Sequence, residues 1–155
     1  MSVLRDGKPY SHVVSLSDGA VHASTGRLFF NMCEMNPTVP AFLDHPFASY
    51  TISEANLPED KWGSRRCHGM IAEDPTCQRI TLSGKMVKVS GTADEALAKE
   101  SLFSRHPEMK WWPAGHDFAF YELQIEDIFY INFYGGAKPM PVDKFFASKP
   151  VQPWI

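Results

Sequence analysis

A chain of 155 residues with 44% hydrophobic, 13% aromatic and 21% charged residues has the composition of one packed domain and excludes a disordered body. Its net charge of -3, with lysine and arginine scattered along the chain, lacks the basic footprint that a nucleic-acid backbone requires. No apolar run approaches the roughly 20 residues of a membrane-spanning helix.

In chain order, the first ten residues carry Arg5, Asp6, Lys8 and Pro9 where an export signal needs a continuous apolar centre. No signal peptide is visible, so the chain is expected to be intracellular or to lack its natural start. Strand-forming runs follow at residues 12–17 before Asp18-Gly19, 27–32 after Gly26, and 48–53 after His45-Pro46, each bounded by turn residues. Between the second and third, residues 36–43 read as a helix of one or two turns, with Asn36 as cap and Pro37 at the first helical position.

From Arg79 the chain alternates apolar and polar residues. Ile80 and Leu82 are expected to point inward, followed by a bulge at Gly84 and then Met86 or Val87 and Val89. Thr92-Ala-Asp-Glu95 is a capping box that opens a helix ended by Pro107. Residues 118–133 are strand-rich, and Glu126-Asp127 is expected to be the turn of a hairpin. Strands in runs with one late helix predict a mainly β protein, a small closed or nearly closed barrel with few helices. The domain is expected over residues 1–146, and the proline-bounded tail 147–155 as an extended arm that needs a partner surface.

Several residue sets invite a chemical reading. His106 and His116-Asp117 flank Trp111-Trp112-Pro113, and a histidine beside a carboxylate suits a general base or a metal ligand. Fixing a loop is the commoner role, and no third ligand completes a metal site. Trp112, His106 and His116 are therefore only pocket candidates, and no catalytic or metal-binding residue is expected. The aromatics among residues 111–134 would suit stacking on a flavin or haem, but alternation assigns most of them to core or interface. Phe118, Phe120, Tyr121 and Tyr130 are the interface candidates, because aromatics on both faces of one strand would leave one face wet in a monomer.

The ordered set of residues 74–89, Leu102-Phe-Ser-Arg-His-Pro-Glu-Met109, Trp112-Pro113, residues 116–120 and Phe133-Tyr-Gly-Gly-Ala137 resembles the CREG (cellular-repressor) family. Weaker similarity begins at Gly7 and runs to Phe146, roughly nine-tenths of the chain. The resemblance implies a split β-barrel of the pyridoxamine-phosphate-oxidase-like, FMN-binding type. It also implies a homodimer, and an endolysosomal or secreted location without demonstrated catalysis. Against that pattern, the helix and most of the first strand that the family carries ahead of Gly7 are expected to be missing.

Flavoprotein relatives place serine, arginine or lysine on the helix after the second strand to hold the phosphate. Residues 33–43 contain no Lys or Arg and two prolines, which lack an N–H donor. No cofactor is therefore expected, with FMN as the alternative. Paired cysteines like Cys67 and Cys77 occur in the family, so the resemblance also implies a disulfide. In the chain-entropy model it would contribute about 2.5 kcal/mol in an oxidising compartment. Zinc is the rival, with Cys67, His68 and Cys77 supplying at most three ligands. The functional expectation is a non-catalytic, dimeric interaction protein. The alternatives are an FMN-dependent oxidoreductase and an accessory subunit of a larger organellar, for instance mitochondrial, complex.

Overall fold

Asp6 and Gly7 both adopt positive φ, the geometry of a two-residue hairpin turn, and they join β1 (Ser2–Arg5) to β2 (Lys8–Ser11). The computed structural model describes residues 1–57 and 66–148. Residues 12–16 are irregular, and β3 occupies Ser17–Ala20. Asp18-Gly19 thus lies inside a strand, at a register irregularity opposite β4 (Ala23–Met32). The turn falls after it, where His22 takes positive φ.

Helix α1 (Thr38–Asp44) follows, with Asn36 Oδ1 accepting the Thr38 N–H at 3.0 Å. Next come β5 (Phe47–Ser53), β6 (Arg79–Lys88) and α2 (Glu95–Arg105). The expected capping box at Thr92 does not form: α2 starts later, after Asp94, and Glu95 accepts the Gly91 N–H at 2.7 Å while Thr92 Oγ1 accepts the Asp94 N–H at 3.2 Å. The expected hairpin over 118–133 does not occur. These residues form one strand, β7 (Ala119–Ile131), and Glu126 is an extra residue opposite the Ser83/Gly84 step. β8 (Lys138–Pro139) pairs with β7, and α3 (Val142–Ala147) closes the description. Of the tail expected to be extended, Ala147 is helical and residues 149–155 lie outside the described residues.

The eight strands form one antiparallel sheet in the order β2-β1-β5-β6-β7-β4-β3, with β8 beside β7. Its curled inner face holds the main core, including Leu28, Phe30, Phe42, Leu82, Tyr121, Leu123 and Ile128. A second cluster lies on the outer face, where Phe29, Val89 and Phe120 pack against Ala98 and Leu102 of α2 and against Met109. Covering both faces is why Leu28-Phe29-Phe30 of β4 and Ala119-Phe120-Tyr121 of β7 are apolar on both sides of the strand. None of the described helices is long and apolar enough to cross a membrane.

Candidate functional site

The end of β4 places Asn31, Met32 and Cys33 at the mouth of a cleft of about 220 Å³. Its other walls are Val13, Val14 and Ser15 of the irregular connector, Asn36, and Trp112 with Phe118. Two hydrogen bonds fix that connector. Tyr50 donates its hydroxyl to the Val14 carbonyl at 2.9 Å, and the His106 Nε2 lies 2.8 Å from the Leu16 carbonyl. Burial raises the Tyr50 hydroxyl above the ordinary tyrosine value, which keeps it a neutral donor.

Of the three pocket candidates read from the sequence, only Trp112 lines the cleft. Its ring packs against Phe118 with centroids 4.7 Å apart, and His116 also stacks on Phe118 at 6.1 Å. His106 lies at the end of α2 and pins the connector, so it shapes the cleft wall without facing the space inside. Sequence reasoning missed Asn31 and the connector. The available signal was a lone polar residue in Leu28-Phe-Phe-Asn-Met32, an otherwise apolar stretch.

The interface candidates separate. Phe118 is half-buried at the cleft, and Tyr130 donates its hydroxyl to Gln78 at 2.6 Å beside a groove that includes Ile52, Leu57 and Ile80. Phe120 and Tyr121 are buried within the single chain, at 9% and 4% exposure. Tyr121 packs edge-on against Phe42 in the inner core, and Phe120 meets Phe103 outside. The expectation that one face would stay wet fails because α2 and the turn Pro107–Trp111 cover it.

Cys67 and Cys77 are joined as a disulfide, with Cα atoms 4.3 Å apart, and Cys33 is a buried free thiol. Arg79 fixes the enclosed loop, donating to the carbonyls of Ala72, Glu73, Asp74 and Cys77 at 3.0 to 3.4 Å. Non-reducing peptide mapping of the protein from its native compartment should recover Cys67 linked to Cys77, with Cys33 alone alkylated. Free thiols at both Cys67 and Cys77 would reject the bridge.

No charged side chain lines the cleft among the described residues. Residues 33–43, which lead into and form most of α1, carry Glu34 but no base. An anion placed on this segment would meet no cationic side chain, and Pro37 and Pro40 offer it no N–H.

Comparison with known proteins gives consistent relatives. The family model described as CREG, beta-barrel matches residues 2–147. The chain is 36% identical to mouse (Mus musculus) protein CREG2 over 144 residues, covering 93% of this chain and 48% of that protein. It is 35% identical to human (Homo sapiens) protein CREG1 over 140 residues, covering 90% of this chain and 61% of that protein. The chain therefore spans about half to three-fifths of the length of these relatives.

Among solved structures, the heme binding protein from Mycobacterium smegmatis superposes with a TM-score of 0.68 at 16% identity, covering 94% of this chain and 52% of that one. The Agrobacterium tumefaciens protein Atu2129, of unknown function, gives 0.61 at 20% identity, covering 83% and 48%. These likenesses extend to the fold, a split-barrel type. On the family match and the sequence identities together, the chain belongs to the CREG beta-barrel family.

Proposed function

We propose that this chain is a non-catalytic interaction protein that works as a homodimer in the endolysosomal or secretory system. The observation that carries the non-catalytic part is the base-free segment 33–43, together with a cleft lined by uncharged groups. A flavin enzyme of this fold needs cations or free N–H groups to hold the phosphate, and these are the residues that would supply them. The paired cysteines support an oxidising compartment. Apolar surface left outside both cores, with Phe129, Phe133 and Tyr134 exposed by 44%, 59% and 61%, supports a protein partner.

Titration calorimetry with FMN is the direct test, with no tight binding expected. A sub-micromolar Kd would restore the oxidoreductase reading. Sedimentation of the purified chain should give a dimer, since burying about 800 Å² per partner suffices for a stable pair. A monomer at micromolar concentration that co-migrates with nothing in native extracts would overturn the interaction role. Migration only within a larger assembly would favour the accessory-subunit reading instead.

A further inference from the structure

We infer that the cleft beside Trp112 binds a small neutral molecule with a carboxamide or lactam edge. Its volume of about 220 Å³ has room for roughly seven waters at about 30 Å³ each. That is space for one substituted ring rather than a nucleotide. The described lining, including Ser15, Asn31, Cys33, Trp112 and Phe118, has no charged side chain. A carboxylate or phosphate entering it would lose hydration and find no counter-ion.

Asn31 supplies the recognition. The residue is 7% exposed, and its Oδ1 is shielded from solvent without a hydrogen-bond partner. Buried side-chain polar atoms are paired in the large majority of cases, so an unpaired one needs a reason. Phe29, two residues earlier on the same face of β4, is fully buried in the outer cluster, so this face accepts apolar residues. A primary amide offers a donor edge and an acceptor edge in one plane, and its terminal torsion is soft. Binding would turn the Asn31 amide about that torsion toward the cleft it lines, so that a ligand amide N–H donates to Oδ1 and its carbonyl accepts from Nδ2.

Trp112 selects for a ring. It is 36% exposed, and Phe118 braces it at 4.7 Å, leaving a flat aromatic wall on which a planar ligand stacks. The connector opposite is held by Tyr50 and His106, so the cleft is preformed and binding orders little new backbone.

The test uses the full chain labelled with nitrogen-15, with nicotinamide as probe and nicotinate as its charged twin. Nicotinamide should shift the Asn31 side-chain amide and the Trp112 indole saturably, and nicotinate should bind at least about tenfold more weakly. Asn31→Leu should lower nicotinamide affinity at least about tenfold while Tm holds or rises, because an unsatisfied polar group becomes apolar. Trp112→Ala, at a partly exposed site, should weaken binding several-fold.

Absence of a saturable shift up to roughly 10 mM, the weak end for a ligand of about ten heavy atoms, would overturn the proposal. So would equal binding of nicotinate, or unchanged affinity in Asn31→Leu. If Asn31→Leu does not fold, unchanged affinity in Trp112→Ala overturns it instead. The outcome is separable from the flavin titration: FMN bound tightly with nicotinamide bound at Asn31 would sink only the non-catalytic reading, and the reverse pattern only this one.

Discussion

Replacing Arg27 by alanine is expected to destabilise the fold by roughly 2–3 kcal/mol, because it strands the nearly buried Glu122 carboxylate although Arg27 itself is 29% exposed. Arg27 reaches from β4 to two other elements. Its Nε and Nη2 donate to the two carboxylate oxygens of Glu122 at 2.7 and 2.6 Å, and Nη1 donates to Asp94 at 3.0 Å. The Glu122 side chain is only 9% exposed, against 46% for Asp94. Alanine would therefore leave a carboxylate stranded in the outer cluster, where water cannot replace the two lost charge-assisted bonds.

The double change Arg27→Met with Glu122→Leu should recover most of the loss, because two apolar groups need no partner. Asp94→Asn should cost less than about 1 kcal/mol, since a half-exposed pair is screened by solvent. Denaturant midpoints of the three variants decide between these outcomes, and a mild Arg27→Ala would mean that water reaches the Glu122 carboxylate.

The same contact gives a pH dependence with a definite sign. The Arg27 hydrogen bond holds the Asp94 carboxyl below its ordinary value, and hydrogen bonds from Thr76 do the same for Asp74. A carboxylate with a depressed value in the folded state stabilises that state above its unfolded value and loses the contribution as pH falls through the folded one. The unfolded value for aspartate is about 3.9. Both contributions are thus intact at the mildly acidic pH of an endolysosome and fade only below about pH 4.

How far the sequence could be read depended on whether neighbours along the chain or neighbours in space set the structure. The helix start after Thr92, the register break beside Gly84 and the inward residues Leu82 and Met86 are local, and they stand where alternation and turn chemistry place them, whereas Val89, expected inward, joins the outer cluster and the extra residue of the bulge lies across the ladder at Glu126. The hairpin of β1 and β2 was legible too, in Asp6-Gly7, but was passed over. Trp112 was legible only as one of three pocket candidates, through its place in the loop flanked by His106 and His116. Asn31 and the connector 13–15 meet Trp112 only through tertiary packing, so no spacing rule could join them. Arg27, Asp94 and Glu122 are far apart in sequence, and their union was equally hidden. Tyr121 fills the inner core and Phe120 the outer cluster, and alternation cannot tell the outer face, covered by a helix of the same chain, from one covered by a partner.

The reading of Glu126-Asp127 as a turn leads to the last expected result, that Gly84→Ala will cost roughly 3 kcal/mol or more, the upper range for forced overpacking. Along β7 the inward residues are Ala119, Tyr121 and Leu123 before the polar pair and Ile128 after it, so the odd positions give way to an even one. A strict period of two would turn one half of the strand inside out. The extra residue Glu126 absorbs the change, because Ser83 pairs with Asp127 while the next residue, Gly84, pairs with Ile125. In sequence a broken alternation around polar residues looks alike whether the chain turns back or bulges.

Gly84 makes the bulge possible through space alone. A Cβ there would overlap the Gln124 carbonyl oxygen and sit 2.8 Å from its carbon and 3.0 Å from the Glu126 nitrogen. All three are backbone atoms that cannot rotate aside, and β5 holds Gly84 from the other edge through its pairing with Ala48. Gly91→Ala provides the contrast, since φ there is +81° with nothing within 4 Å, and the left-handed backbone alone should cost about 1–2 kcal/mol. Denaturation midpoints should rank Gly84→Ala well below Gly91→Ala, with faster amide exchange across β6 and β7 in the first variant only. Equal, small losses would mean that the strands can part at the bulge without disturbing the faces it sets.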